Sequence, residues 1–257
     1  MAVAALGRNG VLGEAGDRSR VFRWASVTKL LTAYACLVAA EEGMVDLDES
    51  AGPAGSTVRH LLAHASGLPW HGGEPMGRAG ARRVYSNVGI ERAAELLAER
   101  AGVPFEQYLR HAVLDPLAMR AELRGSPAAD LEGSLADLTR FACELLSPRL
   151  IAPETLEEAT TVQFPGLAGI VPDLGRFDPC DWGLGFELKD GKDPHWTGSR
   201  TSPRTFGHFG GSGTFLWIDP DAEIALACLT DLEFGEWAKE AWPRLSDAVL
   251  VEIGHVP

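Results

Sequence analysis

The period of the hydrophobic pattern changes along this chain, and the order of those changes is what most limits the fold. Residues 2–15 alternate loosely around the turn signal Arg8-Asn9-Gly10, which predicts a hairpin of AVAALG and VLGEAG. From residue 26 to about residue 160 the apolar spacing becomes helical. Residues 26–43 read as one helix that Ser26 can cap, with Leu30, Leu31, Tyr34, Leu37 and Val38 on a broad apolar face and Gly43 at its stop. Further helices are predicted over 57–65, 87–101, 104–113 and 134–146, with a Gly-rich loop from Trp70 to Val84. Near the C-terminus Trp182–Leu188, Thr214–Ile218 and Glu223–Thr230 read as strands, the last two joined by Asp219-Pro220-Asp221-Ala222. A last amphipathic helix is expected over 233–253, broken or kinked at Pro243. Strands at both ends have to be gathered into one sheet, so the helical middle becomes an insertion. The expected fold is α/β (α+β). Residues 1–50 and 175–257 form an antiparallel sheet flanked by helices, residues 51–174 an all-helical lobe, and the site lies in the cleft between them.

Composition excludes several classes of function. With 36 acidic and 23 basic residues the net charge is −13, which disfavours nucleic acid and anionic membrane surfaces as partners. The longest apolar stretch, Leu30 to Ala40, is too short to span a bilayer, and the first ten residues lack the basic region of a signal peptide. The chain therefore reads as cytoplasmic. Its four cysteines, Cys36, Cys143, Cys180 and Cys228, form no C-x-x-C pair and are expected to be reduced.

Cation usage directs attention to one residue. Only Lys29, Lys189, Lys192 and Lys239 are lysines, among 23 cationic residues. Arg serves wherever charge alone is wanted, so a Lys inside an apolar helix stands out: a desolvated Lys can lose its proton and Arg cannot. Lys29 follows Ser26 by three residues, so on a helix the two share a face. A serine hydroxyl needs a neighbouring base to act as a nucleophile, and a partly buried Lys can be that base. A second cluster, Tyr85-Ser86-Asn87, lies between the Gly-rich loop and a helix. Tyr85 can shuttle a proton near a cationic Lys, and Asn87 can bond an amide. A third, His208-Phe209-Gly210-Gly211, precedes the strand from Thr214, where glycines let a carbonyl approach backbone N–H groups.

Together the three clusters resemble the serine β-lactamase and penicillin-binding-protein superfamily, in the branch related to class C β-lactamases, DD-peptidases and esterases. FRWASVTK (22–29), EEGMVDLD (41–48), RHLLAHASGL (59–68), DPLAM (115–119), WGLGF (182–186) and GHFGGSGT (207–214) resemble that branch too, over about residues 3–230. The resemblance implies a β-lactamase/transpeptidase-like fold and a covalent acyl-enzyme, with no metal or organic cofactor. It assigns Ser26 as nucleophile, Lys29 and Tyr85 as the groups exchanging its proton, and Asn87 as the residue orienting Lys29 and a substrate amide. His208 stands for the third-motif Lys, and the amides of Ser26 and Gly211 form the oxyanion hole. Phe209, Gly210, Ser212 and Trp196 are candidate substrate contacts.

His208 and Phe209 replace the Lys and Thr that help hold a substrate carboxylate, which moves the expected substrate toward small esters, then D-amino-acid amides or peptides, then β-lactams. A catalytically silent module that binds a peptide or protein is the alternative; the oligomeric state is left open. The loop 190–206 is expected to wall the site through His195, Trp196 and Arg204, with Trp70 at the cleft and Trp182 in the core. His60 and His64, with His71 nearby, have a metal-ligand spacing but lack the Glu of H-E-x-x-H. The glycines at 210, 211 and 213 are no phosphate loop, and Gly183 and Gly185 no dinucleotide fingerprint.

Overall fold

The computed structural model describes residues 1–254, and both ends of the chain enter one sheet. The N-terminal hairpin forms as expected, with β1 at Ala2–Gly7 and β2 at Gly10–Ala15. Three short strands, β3 (Val21–Arg23), β4 (Glu122–Leu123) and β5 (Leu131–Ser134), make a small second sheet, and β6 (Gly169–Val171) with β7 (Gly175–Phe177) forms an isolated hairpin. The C-terminal strands are β8 (Glu187–Leu188), β9 (Phe206–Gly210), β10 (Thr214–Asp219) and β11 (Ile224–Leu229). They complete an antiparallel sheet of order β2-β1-β11-β10-β9-β8.

The helices are α1 (Thr28–Glu41), α2 (Val58–Leu62), α3 (Asn87–Ala101), α4 (Phe105–Leu109), α5 (Leu135–Leu146), α6 (Pro153–Ala159) and α7 (Glu236–Glu252). Every residue of α1 from Thr28 to Ala39 is buried. A helix covered all round is a central helix, and α1 packs on α3 and α4 as well as on β9. Short polar caps start the others: Thr57 on α2, Ser86 on α3 and Ser134 on α5 each accept a bond from a first-turn amide. The opposite face of the sheet carries an aromatic layer of Trp196, Phe209, Phe215, Trp217 and Trp242.

Four expectations change. Residues 51–174 are not all helical: they hold β4, β5 and β6, and β5 pairs with β3 of the N-terminal segment. Of Trp182–Leu188, only Glu187–Leu188 pairs as a strand; at Gly185 the backbone has φ +81 and passes so near Ala33 that a Cβ would lie 2.1 Å from that side chain. Strand β9 forms where the sequence predicts no strand, because Gly207, His208 and Gly210 dilute the strand signal, yet all five of its residues are buried. Helix α7 continues through Pro243 instead of breaking there, with Ala238, Trp242 and Leu250 buried on one face along its length.

Candidate active site

Ser26 does not cap a helix. It lies in a single 3-10 turn, Ala25–Val27, that leads into α1, and its side chain makes no capping bond. The residue before it, Ala25, has φ +46, a left-handed conformation that costs a non-glycine residue about 1–2 kcal/mol. Tertiary contacts hold this turn. The Trp24 indole donates to the Gly133 carbonyl at 3.0 Å, Thr214 Oγ1 donates to the Trp24 carbonyl at 2.9 Å, and Ser212 Oγ donates to the Arg23 carbonyl at 2.8 Å. Gly210 lets β9 approach so closely that a Cβ there would meet the Trp24 carbonyl at 2.5 Å.

The held turn brings Ser26 to Lys29 and Tyr85. Lys29 Nζ donates to Ser26 Oγ at 3.0 Å and to the Ala128 carbonyl at 2.7 Å, while the Tyr85 hydroxyl donates to Ser26 Oγ at 2.9 Å. Lys29 is wholly buried, and its ammonium lies 4.9 Å from the centre of the Tyr85 ring. Burial drives its pKa down from 10.5 to about 7, against a smaller upward pull from the Glu91 carboxylate. Near neutral pH a substantial fraction of Lys29 is thus neutral and able to accept a proton. Burial has the opposite effect on Tyr85, whose phenol is pushed well above its ordinary value despite the bond with Ser26. Tyr85 therefore rests protonated.

His208, on β9, faces the same hydroxyl with Nε2 at 3.3 Å, and its Nδ1–H donates to the Phe209 carbonyl at 2.6 Å. Burial, then the charge of Lys29, pulls its pKa down to about 3, so the ring is neutral at physiological pH. Among the described residues the amides of Ser26 and Gly211 have no backbone acceptor, and a Cβ at Gly211 would meet nothing within 4 Å. These groups surround a narrow crevice of about 50 Å³, lined by Ser26, Trp70, Tyr85, Trp182, His208, Phe209, Gly211 and the tip of the β6–β7 hairpin, Val171 to Asp173.

Comparison with known proteins places the chain in a family. The Beta-lactamase family model matches residues 1–121 and 120–250. The chain belongs to the beta-lactamase family. A beta-lactamase from Mycobacterium bovis is 51% identical, with TM-score 0.96 over 98% of this chain and 94% of that one. EstCE1, a hydrolase with promiscuous acyltransferase activity, is 16% identical at TM-score 0.80, over 96% of this chain and 92% of that one. Unliganded simvastatin synthase from Aspergillus terreus is 17% identical at TM-score 0.78, over 98% and 93%. The last two share the fold. Among curated proteins none matches significantly.

Within this beta-lactamase-family chain, several expected site residues have other surroundings. Asn87 makes no bond to Lys29; its amide oxygen is buried without a partner, and the Ala128 carbonyl takes the second Lys29 bond instead. Trp196 is not a substrate contact: it is 2% exposed, donates to Glu187 and packs on Phe209, Phe215 and Trp242. Gly210 and Ser212 fasten the Ser26 turn and do not line the crevice, whereas Phe209 does. The loop 190–206 does not wall the site. His195 is buried against Glu187 and Thr197, and Arg204 is exposed and paired with Asp221. Trp182 is buried as expected, yet one edge faces the crevice. His60 caps α2 through Thr57, and His64 lies under Tyr85, its Nδ1 accepting from the Ser86 amide at 3.1 Å. Sequence reasoning missed Ala128 and the 171–173 hairpin tip; a backbone carbonyl and a Pro-containing turn carry no chemical signature. No helix among the described residues is long and apolar enough to cross a membrane.

Proposed function

We propose that the protein is a serine hydrolase that works through a covalent acyl-enzyme on a small ester or amide. The observation that carries this reading is the chain of contacts Lys29–Ser26–Tyr85, all at 3.0 Å or less, with the lysine buried and titrating near pH 7. Ser26 Oγ attacks the carbonyl carbon, and its proton passes to neutral Lys29. The amides of Ser26 and Gly211 hold the oxyanion. The tetrahedral adduct collapses as Lys29, through the Tyr85 hydroxyl, returns that proton to the leaving oxygen or nitrogen. Water then attacks the acyl carbon; its proton reaches Lys29 through Tyr85, and Ser26 Oγ takes it back as it departs. No metal or organic cofactor has a part in these steps.

Two features favour a substrate that is uncharged beside its carbonyl. His208 is neutral where a Lys would hold a carboxylate, and Asp173 adds negative charge at the crevice. Esters and neutral amides thus rank above β-lactams. The test is intact-mass spectrometry after exposure to a small fluorophosphonate, beside a screen of chromogenic esters, D-alanyl amides and a chromogenic cephalosporin. One adduct on the native chain and none on Ser26→Ala is expected. A native chain that takes no adduct and turns over nothing would instead be a binding module.

A further inference from the structure

The crevice over Ser26 is too small for more than the reacting carbonyl, but it opens beside a much larger cavity. This second space, about 400 Å³, lies between the Gly-rich loop and the β6–β7 hairpin and shares Trp70, Tyr85 and Pro172 with the crevice. A molecule in one is therefore in contact with the walls of the other. Of the large hydrophobic side chains that the protein leaves exposed, Trp70 (43%), Met76 (56%) and Ile170 (59%) all line it.

Its floor is fixed. Arg83 Nε donates to the Cys180 carbonyl, and its other nitrogens donate to the carbonyls of Ala63 and Gln163, at 2.6–3.0 Å. Its amide donates to the Ala168 carbonyl at 2.9 Å, and Gly169 passes so near that a Cβ would lie 2.5 Å from the Arg83 Cβ. Apolar walls on a rigid floor describe a preorganised subsite.

Charge supplies the second half of the argument. The chain is strongly acidic, yet among the described residues no acidic side chain lines this cavity and three arginines do: Arg82, Arg83 and Arg176. Arg83 is committed to the floor. Arg82 is exposed and its guanidinium donates to the Met76 carbonyl, and Arg176 is exposed and sits directly across the hairpin from Ile170, on the same face.

We infer that one arm of the substrate is an apolar chain that lies along Trp70, Met76 and Ile170 and ends in a carboxylate between Arg82 and Arg176. This deepens the hydrolase reading and rests on it. The carbonyl end of such a molecule is neutral, as the crevice demands, and its charge sits at the far end. The general gain from burying a chain is at most about fourfold in kcat/KM per methylene, and a charge-assisted bond at its end adds about tenfold.

The test compares p-nitrophenyl acetate, p-nitrophenyl hexanoate and mono-p-nitrophenyl adipate, and separately acetate esters of hexanol and of 6-hydroxyhexanoate. The two series distinguish an acyl arm from an alcohol arm. In one series, the native protein should prefer the carboxylate-ended ester over its neutral partner by about tenfold. Arg176→Glu should erase or invert that ratio, and Ile170→Asp should flatten the dependence on chain length. Ratios that are the same in the native protein and both variants, in both series, would overturn the inference while leaving the hydrolase reading intact. A readout free of turnover separates the two: mono-p-nitrophenyl adipate titrated calorimetrically into Ser26→Ala and into Ser26→Ala with Arg176→Glu. Binding weakened about tenfold by the second change supports the subsite even if Ser26 proves inert; equal binding, or none to either protein, counts against it.

Discussion

Replacing Lys29 by methionine should make the protein more stable and inactive, and the size of the gain should depend on pH. A fall in the Lys29 pKa from 10.5 to about 7 corresponds to a penalty of about 5 kcal/mol for burying its charge. Methionine fills similar space with no charge to desolvate. The change leaves the Ala128 carbonyl without a donor, a loss of about 1–3 kcal/mol, while Ser26 Oγ keeps its bond from Tyr85. The net expectation is a gain of about 2–4 kcal/mol at pH 6. The sign with pH follows from proton counting. Below about pH 7 Lys29 is charged in both folded and unfolded chains and the folded protein bears the whole penalty. Between about 7 and 10.5 the unfolded chain binds the extra proton, so native stability rises by about 1.4 kcal/mol per pH unit. Lys29→Met has no such term, so its advantage should shrink by about 2 kcal/mol between pH 7 and pH 9. Urea unfolding of both proteins at pH 6, 7 and 9 measures this directly, and ester turnover should fall by about 10²–10⁴-fold in the variant. A difference in stability that is the same at all three pH values, or a variant less stable at pH 6, would show that the lysine is not held against its charge.

The same group sets the rate profile: kcat/KM for a neutral ester should rise through pH 7 and be about tenfold lower at pH 6 than at its plateau. Glu91→Gln removes the carboxylate that holds the Lys29 pKa up, so the acid limb should move to lower pH; a move upward would refute the assignment. Tyr85→Phe should cut acylation by about 100-fold or more, read by stopped-flow release of p-nitrophenol, with the melting temperature little changed. Gly210→Ala puts a methyl 2.5 Å from the Trp24 carbonyl and 2.9 Å from the Ala25 Cβ, and should destabilise the fold by about 1–3 kcal/mol in thermal unfolding while also displacing Ser26.

Much of the site is legible in the sequence because chemistry there requires rare side chains in rare places. Lys29 could be singled out since Arg serves elsewhere, and its three-residue spacing from Ser26 predicts the contact seen at 3.0 Å. Tyr85 and His208 arrive where their motifs suggest, although 59 and 123 positions separate Tyr85 from Ser26 and from His208. What stays hidden is made by backbone. Ala25 shows no preference for φ +46; it is held there by Trp24, Gly133 and Thr214, which lie far apart in sequence. The strand β9 is concealed for a related reason. Its glycines weaken the pattern because they exist to let other backbone approach, and that need is tertiary. Trp196 misled in the opposite sense: polar neighbours suggested a cleft wall, but a buried carboxylate, Glu187, takes its N–H and lets the ring join the core.

Lys29, Tyr85 and His208 share one property that none has alone. Each is buried, and burial moves each toward its uncharged form: the amine down, the phenol up, the imidazole down. At neutral pH these three groups therefore carry only the charge of the protonated fraction of Lys29, beside the Asp173 carboxylate that lines the crevice. In the proposed mechanism, attack by Ser26 on a neutral carbonyl would create two charges at once, an ammonium on Lys29 and an oxyanion near the amides of Ser26 and Gly211. In a dry site such a pair attracts far more strongly than in water, and fixed donors stabilise it without reorganising. A lysine at position 208 would place a second cation beside Lys29 before any reaction began, and would hold a substrate carboxylate next to the carbonyl. The neutral histidine does neither. It leaves Tyr85 with a second acceptor and keeps the Lys29 proton affinity from falling further, and under the subsite proposed above selection for charge would lie outside the crevice, where Arg82 and Arg176 stand.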